Sequence, residues 1–170
     1  MKKSFVVFAM LLVATFVFAQ KAGDKIEFDT KDMGGNSVTS AIFADSKLTM
    51  INIWGTFCGP CIREMPDLGK LNEANKSRGM QIIGIPIDIV DWNGREQPRT
   101  KANGEAIIKR TGADYMHLVP TKEMLNGFLR NVQAVPMTFF VDSTGKIVGD
   151  VYMGSRSQKD WQKIIDSLLK

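Results

Sequence analysis

Cysteine and histidine are nearly absent from this chain of 170 residues, which has two cysteines and one histidine. A standard structural zinc site needs four ligands, and Cys58, Cys61 and the lone His117 cannot supply them. No cysteine lies near the apolar N-terminal run, so a lipid-modified cysteine anchor is excluded. Charge of one sign is also lacking. The formal excess of +4 includes Lys2 and Lys3, and without them it falls to about +2, too little to argue for nucleic acid or an anionic membrane. Internal repeats, linkers and low-complexity segments are missing, and the ten methionines are scattered as core filler rather than set out as a metal stripe.

What is present begins with a targeting pattern. Met1-Lys2-Lys3 precedes an apolar run from Ser4 to Phe18, and Val17-Phe18-Ala19 before Gln20 supplies a small-residue cleavage site. The run is shorter than the ~20 residues of a comfortable membrane span, so residues 1–19 are expected to be a cleaved signal peptide rather than an uncleaved anchor. Residues 20–170, about 150 in number, suit one domain. Export would put both cysteines where disulfides persist.

The two cysteines fall in Trp54-Gly55-Thr56-Phe57-Cys58-Gly59-Pro60-Cys61. Leu48 to Trp54 has the length and apolarity of a buried strand, and Ile62, Met65, Leu68 and Leu71 recur at helical spacing. Cys58 therefore precedes a helix whose unpaired N–H groups and dipole favour a thiolate, the reactive form. Cys58 is expected to face solvent. Pro60 suits the first helical turn, having no N–H to leave unpaired. Cys61 lies about one turn on, near enough for a small disulfide ring, so the pair reads as redox-active. Glu64, on the same face, can reach Cys61 directly or through water, and a buried carboxyl there would have the raised pKa of a proton acceptor. The plain alternative is an exposed Glu favoured by the helix start.

The run Asn52 to Pro66 resembles the TlpA/ResA-like exported branch of the thioredoxin-fold thiol–disulfide oxidoreductases. Thioredoxins proper carry a buried Asp at the position of Asn52, whereas this branch places a Glu where Glu64 stands. Phe57 departs from the more usual Trp. The resemblance implies a thioredoxin-like three-layer α/β fold, a central mixed sheet flanked by helices, with an N-terminal β-hairpin and a central helical insertion. Lys25–Thr30 and the turn at Met33–Ser37 fit the hairpin, and 104–131 fit the insertion. A helix is expected over 60–77 with Pro66 inside it, a second buried strand over 80–88 whose pairing ends at Pro86, and a polar loop over 91–103. Short helical and strand segments follow at 104–110 and 116–119, and Thr121 can cap a helix bearing Met124, Leu125, Phe128 and Leu129. His117 reads as packed or surface. The C-terminal helix carrying Trp161, Ile164, Ile165, Leu168 and Leu169 covers the sheet.

Val135-Pro136 before the β-rich run Met137–Asp142 is the second signature. Alone it reads as a proline at a strand start with a trans bond; beside a CxxC pair it resembles the family's cis-proline loop, which packs on the disulfide and binds extended substrate backbone. Trp54, Gly59, Pro60, Val135 and Pro136 are accordingly the expected substrate-binding residues, and Gly154 borders the same groove. No cofactor or metal is expected. The resemblance implies a periplasmic or otherwise extracytoplasmic reductase of apocytochrome c cysteines or other exported disulfides, fed by a membrane thiol transporter; a monomer is expected. An oxidant of exported thiols is the nearest competing reading, and a binding module with a structural disulfide the farthest. A Sco-like copper chaperone would need CxxxC spacing. A thiol peroxidase would also use a low-pKa cysteine, but the proline-flanked CxxC matches disulfide exchange better.

Overall fold

The computed structural model describes residues 22–170, so the expected signal peptide lies outside the described residues. A five-stranded sheet of order β5-β4-β3-β6-β7 forms the middle layer. Its centre is β3 (Leu48–Trp54), in which all seven residues are buried, as expected for an apolar strand covered on both faces. Strand β4 (Met80–Pro86) runs parallel to it from Leu48↔Met80 to Trp54↔Pro86, and Pro86 closes the pairing as its missing N–H requires. The two-residue β5 (Met116–His117) extends the parallel side. On the other side β6 (Met137–Asp142) and β7 (Ile147–Met153) are antiparallel. Because β3 and β6 run in opposite directions, Ile53↔Met137 is the last pair. The chain leaving Trp54 toward Cys58 therefore meets the chain arriving at Met137 from Pro136.

Alternation along the strands sends side chains to two cores. On one face Leu48, Met50, Trp54, Ile82 and Phe140 pack with Met65, Leu68 and Leu71 of α1 (Gly59–Asn75), Ile107 of α2 (Pro98–Thr111) and Trp161 and Ile165 of α4 (Gln158–Leu168). On the other, Ile51, Ile53, Ile83, Ile85 and Phe139 pack with Ile26, Phe28, Val38, Phe43 and Met124. Ile26 and Phe28 lie in the segment leading into β1 (Asp29–Lys31), Val38 in β2 (Ser37–Thr39), which forms the N-terminal hairpin with β1, Phe43 in a 3-10 helix at Ser40–Asp45, and Met124 in α3 (Lys122–Asn126). The result is the three-layer mixed-sheet arrangement expected, with hairpin and helical insertion in place.

Several boundaries differ from expectation. Helix α1 stops at Asn75 and hands over to a 3-10 turn, Lys76–Arg78, which Gly79 ends in the left-handed region. Residues 98–103, expected as loop, open α2 instead, with Pro98 in the first turn. The inward face of α2 is made by Gly104 and Ile107, so the apolar periodicity that signals a helix is almost missing. A Cβ on Gly104 would sit 3.5–3.6 Å from Met33, Thr56 and Ile89 side chains, so the helix packs there by its backbone. Helix α3 is capped by the Thr121 hydroxyl as expected, but it ends at Asn126, ahead of Phe128 and Leu129. Among the described residues no helix is long and apolar enough to cross a membrane.

Candidate active site

Cys58 is the N-cap of α1, and Cys58 and Cys61 are joined in a disulfide. The Cys61 backbone N–H donates to Cys58 Sγ at 3.2 Å, so one of the helix's unpaired donors is aimed at the sulfur. That donor, with the helix dipole behind it, stabilises negative charge on Cys58 once the bond is opened. In the bonded form Cys58 is only 5% exposed, against the expectation that it faces solvent, and Cys61 is 1% exposed. The covering comes from the opposite loop: Cys58 Sγ lies 3.6 Å from the Val135 carbonyl oxygen, and the Val135–Pro136 bond is cis. Gly154, exposed and at φ +79°, donates its N–H to the Pro136 carbonyl at 2.9 Å, tying the end of β7 to the same loop.

Gly59 and Pro60 form the first residues of α1, with Pro60 exposed and Gly59 half-buried, while Val135 is half-buried and Pro136 buried. Together with Phe57, which is 71% exposed, they surround the disulfide and can meet an incoming chain. Gly55 lets the Phe57 ring lie against the backbone, since a Cβ on it would come 2.7 Å from that ring and push it outward. Trp54, expected among the substrate-binding residues, is fully buried in this disulfide form, and its indole N–H donates to His117 Nδ1 at 3.2 Å, so it supports the floor of the site. The loop between Trp54 and Cys58 is held from β4's far end: Asp88 accepts from the Thr56 N–H at 3.0 Å and from the Thr56 hydroxyl at 2.6 Å.

Glu64 is 4% exposed rather than solvated. Its Oε1 accepts from Trp161 Nε1 at 2.5 Å and from the Arg156 N–H at 2.8 Å, while Oε2 is buried without a partner. No hydrogen bond joins Glu64 to Cys61 in this disulfide form; the two share a helix face one turn apart. Burial pushes the Glu64 carboxyl above the usual range, partly offset by the Arg156 N–H and the Trp161 indole. Asn52, where thioredoxins carry a carboxylate, is buried and donates to Thr138 Oγ1 at 3.1 Å, leaving Glu64 as the buried acid on this side of the pair. His117 is packed, the first of the two placements expected, at 4% exposed. Its Nδ1 accepts from Trp54, so Nε2 carries the proton and donates to the Ala113 carbonyl at 3.0 Å; burial lowers its pKa to about 4. Among the described residues no cluster of His, Cys, Asp and Glu could hold a metal ion.

The residues that sequence reasoning did not assign are Asp88, Arg156 and the polar end of Trp161. Only Trp161 left a trace, as a large aromatic on the inner face of α4.

A CxxC disulfide at a helix start, backed by a cis-proline loop on a mixed five-stranded sheet, defines a thioredoxin-like protein. The chain belongs to the Redoxin family, whose model matches residues 21–160. It is 27% identical over 123 residues to the thiol-disulfide oxidoreductase ResA of Geobacillus kaustophilus, covering 72% of this chain and 63% of that protein. It is 29% identical over 131 residues to the thiol:disulfide interchange protein HelX of Rhodobacter capsulatus, covering 77% of this chain and 66% of that one. The chain thus matches just under two thirds of the length of these relatives. Among solved structures, a thioredoxin family thiol:disulfide interchange protein from Chlorobium tepidum superposes with a TM-score of 0.72 at 26% identity, over 88% of this chain and 98% of that one.

Proposed function

We propose that this protein is an exported thiol–disulfide oxidoreductase that reduces disulfides in extracytoplasmic proteins. The observation carrying the proposal is the Cys58–Cys61 pair at the start of α1, with the Cys61 N–H on Cys58 Sγ and the Val135–Pro136 loop against it. Relatives named thiol-disulfide oxidoreductase and thiol:disulfide interchange protein support the same reading.

In the reduced protein Cys58 is the nucleophile. Its thiolate attacks one sulfur of the substrate disulfide, the other substrate sulfur leaves as a thiolate, and a mixed disulfide with Cys58 forms. Cys61 then gives its proton to the Glu64 carboxylate, directly or through water, and attacks Cys58 Sγ. The second substrate sulfur leaves, and the Cys58–Cys61 bond is formed. Two electrons have passed to the substrate, so an extracytoplasmic thiol donor, such as a membrane thiol transporter, must reduce the pair for another turnover. Phe57, Gly59, Pro60, Val135, Pro136 and Gly154 form the surface on which the substrate backbone lies. Apocytochrome c cysteines, the targets of the TlpA/ResA-like branch, are included among the substrates. Residues 1–19 direct export in this proposal, and the domain acts as a monomer.

The test is trapping. Cys61→Ala leaves Cys58 to attack but removes the resolving thiol, so mixed disulfides should accumulate on Cys58 when the reduced variant meets disulfide-bearing exported proteins. Cys58→Ala should trap none. Trapping through Cys61 instead of Cys58, or none with either variant, overturns the proposal.

A further inference from the structure

Arg156 sits in the turn between β7 and α4, and its contacts join the two halves of the site. Its backbone N–H donates to Glu64 Oε1 at 2.8 Å, beside the Trp161 indole that donates to the same oxygen. Its guanidinium stands over two rings, 4.8 Å from the centroid of Tyr152 in β7 and 5.2 Å from that of Trp161 in α4. Nη1 also donates back to the Met153 carbonyl at 3.3 Å and to the Gly154 carbonyl at 3.2 Å. Earlier in the same turn, the Gly154 N–H donates to the Pro136 carbonyl at 2.9 Å. The rings beneath the guanidinium are themselves braced: Tyr152 and Trp161 meet edge to face at 5.5 Å, and each meets Phe140 of β6 in the same way.

The turn has little else to hold its shape. Gly154, Ser155 and Ser157 are exposed, and a Cβ on Gly154 would find no atom within 4 Å, so apolar burial contributes little there. A guanidinium is planar and can lie on an aromatic face while still directing N–H groups at carbonyls, which the ammonium of a lysine does not reproduce. We propose that Arg156 is a positioning residue for the redox pair, its side chain clamping the 154–157 turn on Tyr152 and Trp161 so that one N–H of the turn holds Glu64 and another holds the Pro136 loop. Both sides of the disulfide are then tied to one side chain. Glu64 shares a helix face with Cys61, and the loop carries the Val135 carbonyl that lies 3.6 Å from Cys58 Sγ. The clamp stands on contacts within the fold, whereas its bearing on the reaction rests on the catalytic reading of Glu64 in the proposed function.

The groups facing Glu64 are the Arg156 N–H and guanidinium, the Trp161 indole from α4, Asp67 from α1 itself and Tyr115 from the segment before β5. Arg156 is the one cation among these, so its loss would raise the Glu64 pKa through charge alone, and the experiment has to separate charge from position. Arg156→Met keeps an apolar side chain and removes the guanidinium, whereas Arg156→Lys keeps the charge without the planar fork. Amide hydrogen exchange, a titration of the Glu64 carboxyl carbon by NMR and the pH profile of disulfide reduction are measured on wild type and both variants. In R156M, exchange at the Gly154 and residue-156 amides should quicken by about tenfold, the worth of a partly desolvated cation–π contact, with the Thr56 amide unchanged. The Glu64 midpoint and the acid limb of the rate profile should move up together. R156K should also leave both amides faster than in wild type. Unchanged exchange at both amides overturns the proposal, and with a raised midpoint it leaves Arg156 a charge only. Faster exchange with an unmoved midpoint overturns it too, since the N–H would then not be holding Glu64. Faster exchange and a raised midpoint with an unmoved rate profile uphold the clamp and overturn the catalytic reading of Glu64. Should R156M not fold, R156K decides: wild-type exchange at both amides overturns the proposal.

Discussion

Acidification should unlock the floor of the site through His117 before it affects the surface carboxylates. His117 is 4% exposed, and its pKa is lowered from 6.5 to about 4, chiefly by burial. The hydrogen bonds give a second reason. Nδ1 accepts the Trp54 indole N–H at 3.2 Å, so a proton there would set two donors against each other. The folded state therefore binds the proton less readily than the unfolded chain. The stabilisation is complete above the unfolded value and is lost as pH falls toward the folded one. The gap between 6.5 and about 4 corresponds to about 3 kcal/mol lost by pH 4. The carboxylates with lowered values, such as Asp32, Asp142 and Asp166, lose their contribution at lower pH still, so the windows separate. The assay is urea unfolding of the disulfide-bonded protein at pH 7 and pH 4, for wild type and His117→Gln. Glutamine does not titrate, so the stability difference between the two proteins should shrink by about 3 kcal/mol on going to pH 4. Parallel loss in both proteins would refute the reasoning.

Further predictions follow from the same geometry. Glu64 has a raised pKa, so its contribution is full at low pH and declines as pH rises through the folded value; E64Q should gain stability relative to wild type from pH 4 to pH 8 in thermal melts. Trp161→Phe leaves Oε1 with only the Arg156 N–H and should cost about 1–3 kcal/mol in urea unfolding at neutral pH, with a further rise in the Glu64 pKa. Asp88→Asn weakens the two Thr56 bonds and should speed hydrogen exchange at the Thr56 amide while leaving α4 amides unchanged. Phe57→Ala removes a ring that is 71% exposed, so stability should hold within about 0.5 kcal/mol while kcat/KM for protein disulfides falls and the rate with dithiothreitol does not.

The parts of this molecule legible in its sequence are those written in local pattern. A seven-residue run that is apolar apart from Thr49 and Asn52, CxxC and a 3.6-residue periodicity fix β3, the cysteines and α1. Val-Pro ahead of Met137–Asp142 marks the loop that closes on Cys58, and the antiparallel Ile53↔Met137 register brings the two together. What the pattern could not carry is polar pairing across the fold. Trp161 reaches Glu64 over 97 positions and Trp54 reaches His117 over 63, and nothing local in either partner names the other. Trp54 beside the CxxC pair was expected at the substrate surface, yet it closes the end of a strand buried on both faces, so its ring points into the core. Residues 98–103 look like loop because the inner face of α2 is a glycine and one isoleucine.

The central claim is that Cys58–Cys61 is a reducing pair. Its midpoint potential, measured by equilibrating the domain in graded glutathione and dithiothreitol buffers, tests that most directly. A reversible value of about −250 mV or lower, the thioredoxin end of the range, is the predicted result. A value near about −120 mV would make the protein an oxidant that installs disulfides and would contradict the account.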